Sequence, residues 1–153
     1  MENLKILRRQ PECSLYEISS GPEAPVKRII ASTKETRAIC NDPFVLGTKY
    51  TDFLRTACCK VLREIKNLGD FPLREHQTTV LHILRGGLNF GLREALSEAF
   101  GWHCHSSAFV SAQRARKSEN VEDWHITENT YQKVNLVPSA NIIFGDVVAT
   151  GTS

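Results

Sequence analysis

Toward the end of the sequence, Gly145 and Asp146 follow the apolar residues Ile142, Ile143 and Phe144. A few positions later Ala149, Thr150, Gly151, Thr152 and Ser153 combine a flexible backbone with three hydroxyls. Consecutive amides at such a turn surround a phosphate with donors, and glycine lets the backbone come close where a side chain would block it. A carboxylate at Asp146, beside that cradle, suits a ribose diol or the water shell of a magnesium ion. A second loop with related chemistry stands at Arg85, Gly86 and Gly87. Two glycines there expose amides, and the guanidinium can pair bidentately with a diphosphate. Either loop alone is also what a plain strand-to-helix turn requires. Together, each after a buried strand, they favour a ligand, because ligands of open α/β sheets gather at the carboxyl ends of the strands.

The elements that must carry these loops are set by periodicity. Residues 78–84 are β-branched and apolar and predict a strand. Leu88, Leu92, Ala95, Leu96 and Ala99 then recur at helical steps up to Gly101. Residues 107–110 predict a second strand, which runs into the basic Arg114, Arg116 and Lys117, and residues 140–144 predict the last buried strand after the break at Pro138. Before them, Phe53, Leu54, Ala57, Cys58, Val61, Leu62 and Ile65 form one stripe of a helix over 51–66. Thr51 or Asp52 is its expected cap and Gly69 its stop, and at least one of Cys58 and Cys59 is expected to be buried. Residues 118–129 have no steady period and read as an excursion or mobile loop, with 131–137 returning as a strand or hairpin arm. Residues 1–50, interrupted by Pro11, Gly21, Pro22, Pro25 and Pro43, read as an arm or peripheral layer with short strands at 15–18 and 26–30. The fold class expected is α/β, a mostly parallel sheet flanked by helices, with its core in residues 51–153.

On these residues the chain resembles the type I phosphoribosyltransferases, and somewhat more the uracil phosphoribosyltransferase branch. The resemblance covers roughly residues 51–153. It implies that Arg85, Gly86 and Gly87 contact pyrophosphate, that Arg114 and Arg116 approach the diphosphate, and that Ala149, Thr150, Gly151, Thr152 and Ser153 hold the five-prime phosphate. It further implies Mg2+ as cofactor, phosphoribosyl pyrophosphate and a nucleobase as partners, and Asp146 as the residue acting on the ribose by position and charge. Two departures accompany it. The family signature commonly has two adjacent acids where this sequence has Gly145 and Asp146. The family fold also continues past the phosphate loop with a helix, a further strand and base-recognition elements, so a core lacking that part is expected. The activity implied is transfer of a 5-phosphoribosyl group to a nitrogenous base with release of pyrophosphate. The alternative is a non-catalytic or regulatory protein that binds a phosphoribosyl ligand.

Composition narrows the remaining classes. Nineteen Lys and Arg against seventeen Asp and Glu are scattered along the chain, which argues against a nucleic-acid footprint. Five cysteines without a CxxC spacing argue against a disulfide framework or a structural zinc. The start of the sequence lacks the apolar run of a signal peptide, and no stretch reaches bilayer length, so a cytoplasmic protein without a membrane role is expected. A homo-oligomer is compatible with this reading. His82, His103, His105 and His125 do not form an HExxH motif, and Ser106, Ser107 and Ser111 stand in no GxSxG elbow. Trp102 and Trp124 are expected to pack rather than to stack on bases. If Arg85 grips a leaving diphosphate, Arg85→Ala should weaken phosphoribosyl pyrophosphate binding about tenfold or more, ~1.4 kcal/mol, while sparing ribose 5-phosphate. Calorimetry with both ligands measures this, and equal weakening would put Arg85 away from the diphosphate.

Overall fold

The computed structural model describes residues 3–19, 26–84, 91–116, 124–128 and 130–146. They divide into two units: the first runs through Phe71 and regains Glu94–Gly101, and the second holds Pro72–Arg93 and the chain from Trp102 onward. The fold is mixed α/β, with helices flanking sheet that is partly antiparallel. Among the described residues, no helix is long and apolar enough to cross a membrane.

In the first unit, β1 (Asn3–Arg8), β2 (Cys13–Ser19) and β3 (Arg28–Thr33) form an antiparallel sheet in that order. The described part of the span expected as an arm or peripheral layer thus holds a three-stranded sheet between Asn3 and Thr33. Alternation sorts its side chains between two faces. Leu15 and Thr33 are fully buried on one, whereas Leu4 and Ile6, paired with Ile18 and Tyr16, are 57% and 54% exposed on the other. Helix α1 (Lys34–Asn41) starts at the end of β3. Thr33 caps it, accepting from the Thr36 amide at 3.1 Å while the Thr36 hydroxyl accepts from the Thr33 amide at 2.9 Å.

Helix α2 (Gly47–Leu68) contains the expected 51–66 stripe and buries Ala57, Cys59 and Leu62. Its start corrects the expected cap: the helix begins after Leu46, which supplies no side-chain cap, and the Thr51 hydroxyl donates back to the Thr48 carbonyl at 3.0 Å. The stop is as expected, since Gly69 takes the left-handed conformation at φ 72°. Sheet and helices are tied by charge. Arg8 meets Glu64 at 2.7 Å, and Lys60 bridges Glu12 at 2.5 Å and Glu35 at 2.7 Å. Burial works against ionising Glu35, yet the hydrogen bond from Lys60 holds its carboxyl below the usual range. Water screens exposed pairs of this kind, whereas burying a Leu contributes roughly 1.5–3 kcal/mol. The ion pairs therefore fix alignment more than stability.

Helix α3 (Leu92–Phe100) buries Ala95 and Leu96. Its Glu94–Gly101 part belongs to the first unit, where Arg63 donates to the Glu98 carbonyl at 3.1 Å and the Lys66 ammonium lies 5.3 Å from the Phe100 ring centre. Gly101, at φ 74°, ends it at the expected residue.

In the second unit, β4 (Thr78–Leu84), β5 (Ser106–Ser111), β8 (Gln132–Lys133) and β9 (Asn141–Ile143) form a sheet ordered β8-β5-β4-β9. Strand β4 pairs in parallel with both β5 and β9, and β8 joins β5 antiparallel. The mostly parallel sheet expected is therefore limited to β5, β4 and β9. Among the described residues the other pairings are antiparallel, and the parallel strands are the ones that need crossovers. A further correction concerns residues 113–128. Residues 114–116 of the basic segment and 124–128 of the expected loop lie in β6 (Gln113–Arg116) and β7 (Trp124–Glu128), an antiparallel pair. The expected returning strand over 131–137 shrinks to the two residues of β8, with 134–137 exposed.

The start of this sheet is fixed by polar contacts. The Thr79 and Ser106 hydroxyls lie 2.6 Å apart across β4 and β5. Glu75, in a single 3-10 turn (Glu75–Gln77), accepts the backbone amide of Cys104 at 2.5 Å and that of His103.

Leu15→Ala should lower unfolding free energy by about 2–5 kcal/mol, whereas Leu4→Ala, on the exposed face, should change it by about 0.5 kcal/mol or less. Urea melts compare the two. Amides of Cys104 and His103 hold the Glu75 carboxyl below its usual value. Its contribution is thus complete above the ordinary glutamate pKa and lost as pH falls through the lower native one. In Glu75→Gln, the acid-side decline of the urea midpoint should be shallower than in the native chain. Identical declines would remove Glu75 from the acid response.

Candidate functional site

Parallel pairing sets where loops emerge. Thr78 lies opposite Asn141, Thr79 opposite Ile142 and Val80 opposite Ile143, so β4 and β9 are adjacent and run the same way. On the other side of β4 the register continues to Leu84 opposite Ser111 at the end of β5. The chain therefore leaves β4 toward Arg85, β5 toward Arg114 and Arg116, and β9 toward Asp146 from one edge of one sheet. Strand β4 outruns the last paired residue of β9 by four residues, about 13 Å of strand.

Of the residues singled out by sequence, Asp146 stands three positions after β9 as a half-buried carboxylate. Arg114 and Arg116 lie on β6, opposite Ile126 and Trp124 of β7. Arg85, Gly86, Gly87, Ala149, Thr150, Gly151, Thr152 and Ser153 lie outside the described residues.

The sheet under this edge is partly aromatic. His82 of β4 and Phe109 of β5, side by side in the register, stack with ring centres 4.8 Å apart and planes 15° from parallel. This gives His82 a packing role. The serine candidates divide similarly: Ser106 is bonded to Thr79, while Ser111 contacts Tyr131 at the end of β5. Ser111 gave no signal in the sequence beyond its place at the end of an apolar run. Its neighbour in space is twenty residues away.

Thiol chemistry is disfavoured where the thiols are covered. Burial pushes the thiols of Cys13, Cys58 and Cys59 above their usual value, which keeps them neutral and poorly nucleophilic. All five cysteines are free. Among the described residues, no three His, Cys, Asp or Glu side chains are grouped to hold a metal. Mg2+ in phosphate sites takes only one or two protein carboxylates, the remaining positions going to water and substrate oxygens, so Asp146 alone is a chemically suitable donor for such a site. Comparison with family models, curated proteins and solved structures found no match to this chain.

Proposed function

We propose that the chain binds phosphoribosyl pyrophosphate at the carboxyl edge of β5, β4 and β9 and transfers its 5-phosphoribosyl group to a nitrogenous base. The observation that carries this reading is the common edge from which the segments with Arg85, with Arg114 and Arg116, and with Asp146 depart. In the reaction, the bond from the anomeric carbon to the diphosphate oxygen breaks and pyrophosphate leaves with the electron pair. A base nitrogen forms the new bond to that carbon and gives up its proton to solvent.

Positive charge develops on the ribose as negative charge gathers on the leaving group. Fixed donors aimed at that group lower the barrier, and holding the donor at both ends supplies orientation. Arg85 and the amides of Gly86 and Gly87 would receive the diphosphate together with Arg114 and Arg116. Residues 149–153 would hold the five-prime phosphate at the opposite end of the ribose. Asp146 would face the ribose hydroxyls and a magnesium-bound water. When bound, Mg2+ would supply neutralisation of diphosphate charge.

One observation favours a second reading, a binding protein without turnover. Gly145 stands where the family commonly carries its first acid, leaving Asp146 as the carboxylate of that pair. The ligand site is shared by both readings, and turnover separates them.

Calorimetry with phosphoribosyl pyrophosphate, with and without magnesium, tests the shared part, and pyrophosphate release with a panel of pyrimidine and purine bases tests the chemistry. Asp146→Asn keeps size and removes charge, so it should weaken magnesium-dependent binding about tenfold, ~1.4 kcal/mol, and leave magnesium-free binding nearly unchanged. A native chain that binds the donor and releases no pyrophosphate with any base would support the binding protein. No donor binding at all would reject both.

A further inference from the structure

Two antiparallel ladders succeed one another on the two sides of Ser111. Strands β5 and β8 pair through Phe109 with Lys133 and Val110 with Gln132. Strands β6 and β7 pair through Gln113 with Glu128, then Arg114 with Ile126, Ala115 with His125 and Arg116 with Trp124. Both ladders belong to the same two stretches of chain, one outgoing and one returning, so they form a single interrupted ribbon. From Val110 to Gln113 the outgoing stretch advances three residues while the returning one advances four, from Gln132 to Glu128. Between Gln113 and Arg114 the register shifts again. Extra residues on one side of a ribbon bend it and re-aim the strands beyond the bend.

Ser111 and Tyr131 form the junction. The Ser111 amide donates to the Tyr131 carbonyl at 2.8 Å, and the Tyr131 amide donates to the Ser111 hydroxyl at 3.0 Å. In a regular hydrogen-bonded antiparallel pair the second bond would end on the backbone carbonyl instead. Accepting with the hydroxyl keeps the junction closed while the backbone turns out of the sheet. Among the described residues, β6 and β7 pair as a two-stranded sheet, and a two-stranded ribbon is by itself marginally stable in water. The bonds between Ser111 and Tyr131 at its base thus bear directly on its direction.

We infer that Ser111 is a positioning residue whose hydroxyl sets the direction in which β6, with Arg114 and Arg116, leaves the carboxyl edge. The use of that direction in holding diphosphate rests on the phosphoribosyl reading; the pinning itself does not. Ser111→Ala removes the acceptor, and Ser111→Thr keeps it.

Hydrogen exchange in the full chain reads the junction. Amides of β6, β7 and Tyr131 should exchange about fivefold faster in Ser111→Ala, the change expected for one neutral hydrogen bond, and return toward native rates in Ser111→Thr. Calorimetry on the same proteins should show inorganic pyrophosphate weakened about threefold or more by Ser111→Ala, with ribose 5-phosphate unchanged and Ser111→Thr near native. Native exchange rates in a folded Ser111→Ala protein would overturn the inference, as would equal acceleration by both substitutions. Faster exchange in a chain that binds neither ligand would uphold the pin and reject the phosphoribosyl reading.

Discussion

The second unit depends on β4 being the middle strand of a parallel triplet. Thr78, Thr79 and Val80, at its start, are almost wholly buried, and both flanking strands take their register from them. Parallel neighbours cannot be joined by a tight turn, so each connection must cross back to the other end of the sheet. That constraint accounts for the stretch through α3 between β4 and β5 and for the longer route between β5 and β9. It also forces every segment that leaves these strands to begin at the same edge. A site assembled from widely separated residues becomes possible there without any one of them being close to another in sequence.

In the longer route between β5 and β9, described residues pair with one another on both sides of Ser111 and Tyr131, and 113–116 with 124–128 form an antiparallel ribbon. Bulged ribbons tolerate polar sequence because the backbone supplies the bonds, and the extra residues supply the change of direction. The basic strand β6 is thus an extension of β5 turned aside at a polar junction.

In the first unit the dominant stabilising element is apolar contact, and charge acts mainly on alignment. Leu15 and Leu96 have no accessible surface, and the thiols of Cys13 and Cys59 are buried as small hydrophobes. Around them, Lys60 joins the start of β2 to the first turn of α1, and Arg8 joins β1 to α2. These bonds connect α2 to β1, to the residue before β2 and to α1. The same sheet leaves Leu4, Ile6 and Ile30 exposed on its outer face.

Periodicity was enough to reveal the elements whose burial obeys a simple repeat. The stripe from Phe53 to Ile65 and the glycine stops at Gly69 and Gly101 are local features, as is the β-branched run that becomes β4, and physical chemistry fixes each within a few residues. The start of α2 escaped because Leu46 carries no capping group, so no side chain marks it. The β6 and β7 strands escaped because their bonds are made by backbone amides whose partners are set by register, which side-chain pattern does not encode. The sheet order, and with it the shared edge of β5, β4 and β9, was settled only by tertiary pairing. The carboxylate of Asp146 and the glycines of both loops were visible as chemistry in the sequence alone. That their supporting strands lie side by side depends on hydrogen bonds between segments some sixty residues apart, and those exist only once the chain has crossed over twice.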